Sequence, residues 1–146
     1  MVCSSVKGKL VYSSKDMDFI ELEWFERDKR GLKKLTVGGE EIELDTGTVL
    51  ADRDIVYEDK DRLIAVRLKP CEVMSVRVNS MTEIGALCYR LGSLGLAVSI
   101  SGEWVKFPFD EAAADKLRAE GFYGQVSEEI FDSFILPSLK YSDKTL

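Results

Sequence analysis

No histidine occurs among the 146 residues of this sequence. That absence removes the commonest general base near neutral pH and the commonest metal ligand. Serine–histidine and cysteine–histidine catalysis and imidazole-based zinc sites are excluded with it. The three cysteines, Cys3, Cys71 and Cys88, are odd in number, far apart and without a CxxC pair, so reduced thiols are expected rather than a disulfide framework. No apolar run approaches the roughly 18 residues needed to cross a bilayer. The start, Met1-Val2-Cys3-Ser4-Ser5-Val6-Lys7, has no signal-peptide apolar region, which makes the cytoplasm the expected compartment. A basic excess is also missing. With 20 Lys+Arg against 26 Asp+Glu the net charge is -6, which argues against nucleic acid as a partner.

What is present is an ordinary globular composition, 45% hydrophobic and 32% charged, enough for one ordinary domain or two small ones. The first half reads as short strands. Phe19 to Trp24 alternates apolar and acidic residues, the period of a half-buried strand. Leu32–Val37 and Glu41–Leu44 flank Gly38-Gly39, which supplies positive φ for a hairpin turn. A turn at 45–48 precedes a short extended piece, Val49-Leu50, and two more strands are expected at Ile55–Tyr57 and Leu63–Val66.

Near Pro70 the pattern changes. Val73–Val78 reads as a strand, and Ser80-Met81-Thr82-Glu83 has the spacing of a helix capping box. Met81, Ile84, Leu87, Cys88 and Leu91 then recur at helical spacing and form one apolar stripe. A hairpin through Ser101-Gly102-Glu103, a second helix from the N-cap Asp110 to Gly121, and a strand around Gly124–Val126 complete a β-α-β-β-α-β order. The expected class is α+β: a small all-β domain over residues 1–70, then a ferredoxin-like βαββαβ domain over 71–146. The sheet face without helices needs cover from the first domain or a second subunit. The end of the chain carries an apolar segment (Ile130, Phe131, Phe134, Ile135, Leu136) interrupted by Pro137, and then a polar tail expected to be mobile.

The order and spacing of several motifs resemble the UreE family of urease accessory proteins. These are the acidic-aromatic run Glu23-Trp24-Phe25-Glu26 with Arg27-Asp28-Lys29-Arg30, the Gly38-Gly39 hairpin, and Thr46-Gly47-Thr48-Val49-Leu50-Ala51-Asp52-Arg53-Asp54-Ile55. Cys71–Val76, Tyr89-Arg90-Leu91-Gly92 and Phe107-Pro108-Phe109-Asp110 follow in the same order. The resemblance implies a homodimeric nickel metallochaperone, not an enzyme, that works with an accessory GTPase on the urease apoprotein complex, away from membranes. It also implies a partner- or peptide-binding first domain and a metal-binding, dimerising second one.

The departures concentrate where that family places imidazole. Leu91-Gly92 continues as Ser93-Leu94-Gly95 instead of Asn-Arg-His, and the histidine expected after Asp110 is Glu111. The histidine-rich tail is replaced by Ser138–Lys144, and Arg53 stands where glycine is usual.

Two candidate sites follow. Glu111, with Asp110 beside it, could offer paired carboxylates across a dimer axis. Oxygen donors suit Mg²⁺, Ca²⁺ or Mn²⁺ better than nickel, so another divalent cation is an alternative cargo. The alternative is that Glu111 only complements the dipole of its helix from the first turn. Trp24 and Phe25 beside Arg27, Lys29 and Arg30 form the candidate partner surface, suited to an acidic or extended peptide; the alternative places Trp24 in the core and the cations in solvent. Cys88 is expected to pack as a small hydrophobe, and Cys3 to lie in a flexible arm.

Overall fold

The computed structural model describes residues 1–133 of the chain. The tail and most of the apolar segment before it lie outside the described residues. The chain divides into two compact units, Met1–Lys69 and Pro70–Leu146.

The first unit is built on two sheets. Strands β1 (Val2–Cys3), β5 (Glu41–Leu44) and β4 (Leu32–Leu35) form one, in the order β1-β5-β4. Strands β2 (Gly8–Lys9), β6 (Asp54–Glu58), β7 (Arg62–Leu68) and β3 (Asp16–Leu22) form the other, in the order β2-β6-β7-β3. One core draws on both: Cys3, Ile42 and Leu44 from the first sheet meet Ile20, Leu22, Val56, Ile64 and Val66 from the second. Alternation divides β7 between two environments. Ile64, Val66 and Leu68 face this core, while Leu63 and Ala65 join Leu10 and Ile55 on the opposite face. A bulge between Ile55 and Tyr57 turns Tyr57 toward the main core.

Two expectations change here. The Phe19–Trp24 strand ends at Leu22, and Trp24–Glu26 form a 3₁₀ turn closed by Glu23 and Glu26, which bond each other's backbone N–H groups. Val49 and Leu50 follow the turn at 45–48 outside any strand, and Leu50 is buried in the core. Cys3 is no flexible arm: β1 runs parallel to β5 with Cys3 opposite Leu44, and the thiol is buried, which raises its pKa.

The second unit follows β8 (Cys71–Arg77), α1 (Met81–Ser93), β9 (Ser99–Ser101), β10 (Trp104–Pro108), α2 (Glu111–Ala119) and β11 (Gly124–Glu129). Its sheet order, β11-β8-β10-β9, is that of the ferredoxin-like fold, with antiparallel neighbours throughout. Ser80 caps α1 by accepting from the Glu83 N–H at 3.2 Å, and the Glu83 carboxylate bonds the Asn79 N–H at 2.6 Å. Met74 and Val76 of β8, Val105 and Phe107 of β10, Leu87 and Leu91 of α1, and Ala114 and Leu117 of α2 make one core. Each such aliphatic or aromatic side chain contributes roughly 1.5–3 kcal/mol by leaving water. Cys88 packs against that core, as its stripe position implied. Met81 does not: at the first residue of α1 its side chain is 86% exposed.

Candidate functional site

The partner-surface candidates sit on and after the 3₁₀ turn. Trp24 and Phe25 stack edge to face, with ring centroids 5.7 Å apart. Trp24 is half-buried rather than core, whereas Phe25 is 51% exposed with the Lys29 ammonium 5.9 Å from its ring centroid. Glu26 accepts from the Lys34 ammonium at 2.9 and 3.2 Å. Burial works to raise the Glu26 pKa, but the Glu23 N–H and Lys34 outweigh it and hold the carboxyl below its usual range. Arg30 is exposed and bonds Asp45 at 2.6 Å, which depresses the Asp45 pKa.

Arg27 departs from both sequence readings of this cluster. It is neither a solvated cation nor an accessible docking group: its relative exposure is 0%. Its Nε donates to the Leu50 carbonyl at 2.6 Å, while the Leu50 N–H donates back to the Arg27 carbonyl at 2.9 Å. The guanidinium therefore fastens the segment around Leu50 to the turn. The exposed members of the candidate set are Phe25, Lys29 and Arg30.

The second candidate set lies at the start of α2. Asp110 is its N-cap, with extended backbone; its carbonyl accepts from Ala114 N–H, and its side chain makes no capping bond. Glu111 is the first helical residue. Both side chains are exposed. Among the described residues no group of three or more Asp, Glu, Cys or His side chains is gathered as a metal cage. Cys71 and Cys88 are partly buried and Cys3 is buried in the first unit. Burial raises the Cys88 thiol pKa, which disfavours a thiolate ligand.

Comparison with known proteins fits this architecture. The family model for the UreE urease accessory protein N-terminal domain matches residues 11–69. A urease accessory protein UreE of Flavobacterium johnsoniae is 31% identical over 137 residues, covering 90% of this chain and 81% of the relative. The chain belongs to the UreE family of urease accessory proteins. The UreE of Bifidobacterium longum subsp. infantis is 29% identical over 140 residues, 93% of this chain, but the match spans only 63% of that relative. The UreE of Acetivibrio thermocellus is 28% identical over 112 residues, 70% of this chain and 73% of the relative.

Within this UreE-family chain the departures have structural consequences. Arg53, expected from the resemblance to stand in place of a glycine, holds φ at 73° in the left-handed region. Its carbonyl accepts from Leu10 N–H and its N–H donates to Val66 carbonyl, so the backbone is held there by neighbouring strands. Ser93 ends α1 and bonds the Arg90 carbonyl through its hydroxyl at 2.7 Å. The described residues contain no helix long and apolar enough to cross a membrane.

Proposed function

We propose that this chain acts as an accessory protein in urease maturation rather than as an enzyme, working in the cytoplasm as a homodimer that handles nickel as cargo. The observation that carries this reading is the similarity to the Flavobacterium johnsoniae protein across four fifths of that relative's length. In this reading the second unit (71–146) dimerises and presents Glu111 and Asp110 to the cation. The first unit (1–70) docks partners through Trp24, Phe25, Lys29 and Arg30, with the buried Arg27 holding the turn that carries them. The partners are the accessory GTPase and the urease apoprotein complex. With carboxylate donors and no histidine, nickel is held weakly and a harder divalent cation competes. Titration calorimetry with Ni²⁺ and Mn²⁺ on wild type and Glu111→Ala tests this. Loss of binding in the variant supports the site, and equal binding removes Glu111 from it.

A second reading has its own support in the absence of histidine from the sequence. It makes the chain a metal-independent scaffold of the same fold. Capture of the accessory GTPase that is equal with EDTA and with added nickel favours the scaffold; nickel-dependent capture favours the carrier.

A further inference from the structure

Strand β4 lies at one edge of its sheet, with β5 on its other side. At the end of this hairpin the Thr36 N–H donates to the Glu40 carbonyl, which sets the alternation along the pair. Leu32 and Lys34 bond β5, and the N–H and C=O groups of Lys33 and Leu35 point to the open edge. Alternation also turns the Lys33 and Leu35 side chains to the outer face of the sheet, opposite Glu43 and Glu41. Leu35 is 64% exposed there. An open hollow of about 320 Å³ is lined by Lys33, Lys34, Leu35 and Glu41, and a second of about 240 Å³ shares Lys33 and Glu41 with it.

The charge of this edge is opposite to that of the chain. Residues 29–39 carry Lys29, Arg30, Lys33 and Lys34 and no acidic residue, in a sequence of net charge -6. Lys29 lies over the Phe25 ring, Arg30 pairs with Asp45 and Lys34 with Glu26. Lys33 has no ion pair among the described residues. Lysine on an edge strand guards against pairing with a second copy, because like charges then meet. The same lysine favours a strand of opposite sign. A guard alone does not account for the exposed leucine two residues on, beside a hollow.

We propose that the open edge of β4 takes up an extended acidic segment of a partner protein as an added antiparallel strand. The added strand exchanges N–H and C=O bonds with Lys33 and Leu35. Its residue opposite Leu35 is apolar and the one opposite Lys33, two positions on, is acidic, since directly opposed side chains touch. The Lys34–Glu26 pair ties β4 to the turn that carries Phe25, so the edge continues the docking surface of the first unit. The proposal rests on that docking reading and adds the backbone form, charge and register of the partner segment.

The test follows the anisotropy of fluorescein-labelled peptides with the full chain, starting from Ser-Val-Thr-Glu-Thr-Val-Thr-Glu-Ser, whose valines and glutamates share one face. N-methylation of the valine and glutamate amides removes the donors that face β4, while methylation of the threonine amides alters those that point away. The expected result is saturable binding by the wild type, weakened about tenfold or more by the first methylation and little changed by the second. Lys33→Glu should weaken binding to a similar degree and should prefer the peptide with lysine in place of glutamate. Far-UV circular dichroism checks that the variant keeps its fold. No binding by the wild type, equal binding of the two methylated peptides, or Lys33→Glu indistinguishable from wild type overturns the added strand. Capture of the accessory GTPase and the urease apoprotein complex by the full chain follows the docking reading separately. Capture retained while the peptide fails overturns the strand alone; absence of capture overturns the reading it rests on.

Discussion

The two units differ in how much charge they bury: among the described residues, the buried charged side chains, Arg27 and Asp54, both belong to the first. In the first, charged side chains reach inward and stitch elements together. Arg27 is buried, Arg62 bonds Glu40 through both guanidinium nitrogens at 2.6 and 3.3 Å, and Asp18 accepts from the Phe19 and Gly38 N–H groups. In the second, the core is aliphatic and aromatic, and the Arg77–Glu103 and Arg90–Glu120 ion pairs lie at the exposed surface, while Lys106–Glu129 is half-buried at the sheet. The first unit's stability therefore depends on protonation and on a few polar groups, and the second's on packing. The family model matches within the first unit.

The two tryptophans, Trp24 and Trp104, give each unit its own fluorescence reporter. The largest expected effect is that of Arg27→Ala. It removes a buried side chain and leaves the Leu50 carbonyl without its Nε donor. A loss of about 3 kcal/mol is expected in the Trp24 transition on urea unfolding, with the Trp104 transition unmoved. Arg30→Ala, three residues along the sequence, should leave the same transition nearly unmoved because its ion pair with Asp45 is exposed. Equal effects from the two arginines would break the contrast between inward and outward charge.

Acid should separate the units next. Among the described residues, Asp18, Glu26, Glu40, Asp45 and Asp59 of the first unit and Glu129 of the second are held below their usual pKa. Asp59 is pulled lowest, to about 2, by the Tyr57 hydroxyl and the Asp61 and Arg62 N–H groups. For Asp18 burial opposes the shift, and the Thr36 hydroxyl and the Gly38 and Phe19 N–H groups overcome it. A carboxyl whose folded pKa is depressed stabilises the fold fully above its unfolded value, and that contribution fades as pH falls toward the folded one. The first unit should thus lose stability from about pH 4 down to about pH 2, and the Trp24 signal should move before that of Trp104. The reverse order would show that packing in the second unit is the weaker element.

Much of this architecture was legible because its signals are local. The Gly38-Gly39 turn, the Ser80 cap and the βαββαβ order each rest on residues within a few positions of one another, and Gly39 does take positive φ. What escaped reading is long-range. Strand β1 exists only through parallel pairing with β5, some forty residues away, so Val2-Cys3 looked like a loose end. Arg27 sits in a charged run that reads as solvated, while its burial and its bond to Leu50, 23 residues away, are set by the tertiary fold. Met81 matched the helical stripe in spacing but lies at the first residue of α1, beyond the edge of the core. The candidate site was legible as a list of residue types, while exposure, which decides what each can touch, was set by the tertiary fold.

Arg53 is a strained residue inside the region that the family model matches. A non-glycine residue in the left-handed region costs about 1–2 kcal/mol. Its side chain returns only a 3.4 Å bond to the Val11 carbonyl, at the exposed surface. Arg53→Gly should therefore raise the first unit's stability by about 1 kcal/mol, net of the extra freedom glycine gives the unfolded chain. A destabilised variant would mean that the guanidinium contributes more than the strain removes.

The smallest effect bears on the metal question. As the first residue of α2 with an exposed side chain, Glu111 has a ready structural role: its charge complements the helix dipole. On that account alone Glu111→Gln costs about 0.3–1 kcal/mol in the Trp104 transition at low ionic strength, and the difference shrinks as salt is added. Without divalent cation, a gain in dimer stability from the same substitution would instead mean that two Glu111 carboxylates repel across the axis, since neutralising both removes a like-charge pair. A salt-sensitive loss confined to the monomer makes Glu111 a helix residue and shifts the burden of cation binding elsewhere. A gain in the dimer, reversed when Mn²⁺ is supplied to the wild type, makes the carboxylate pair the place where the missing imidazole has been replaced.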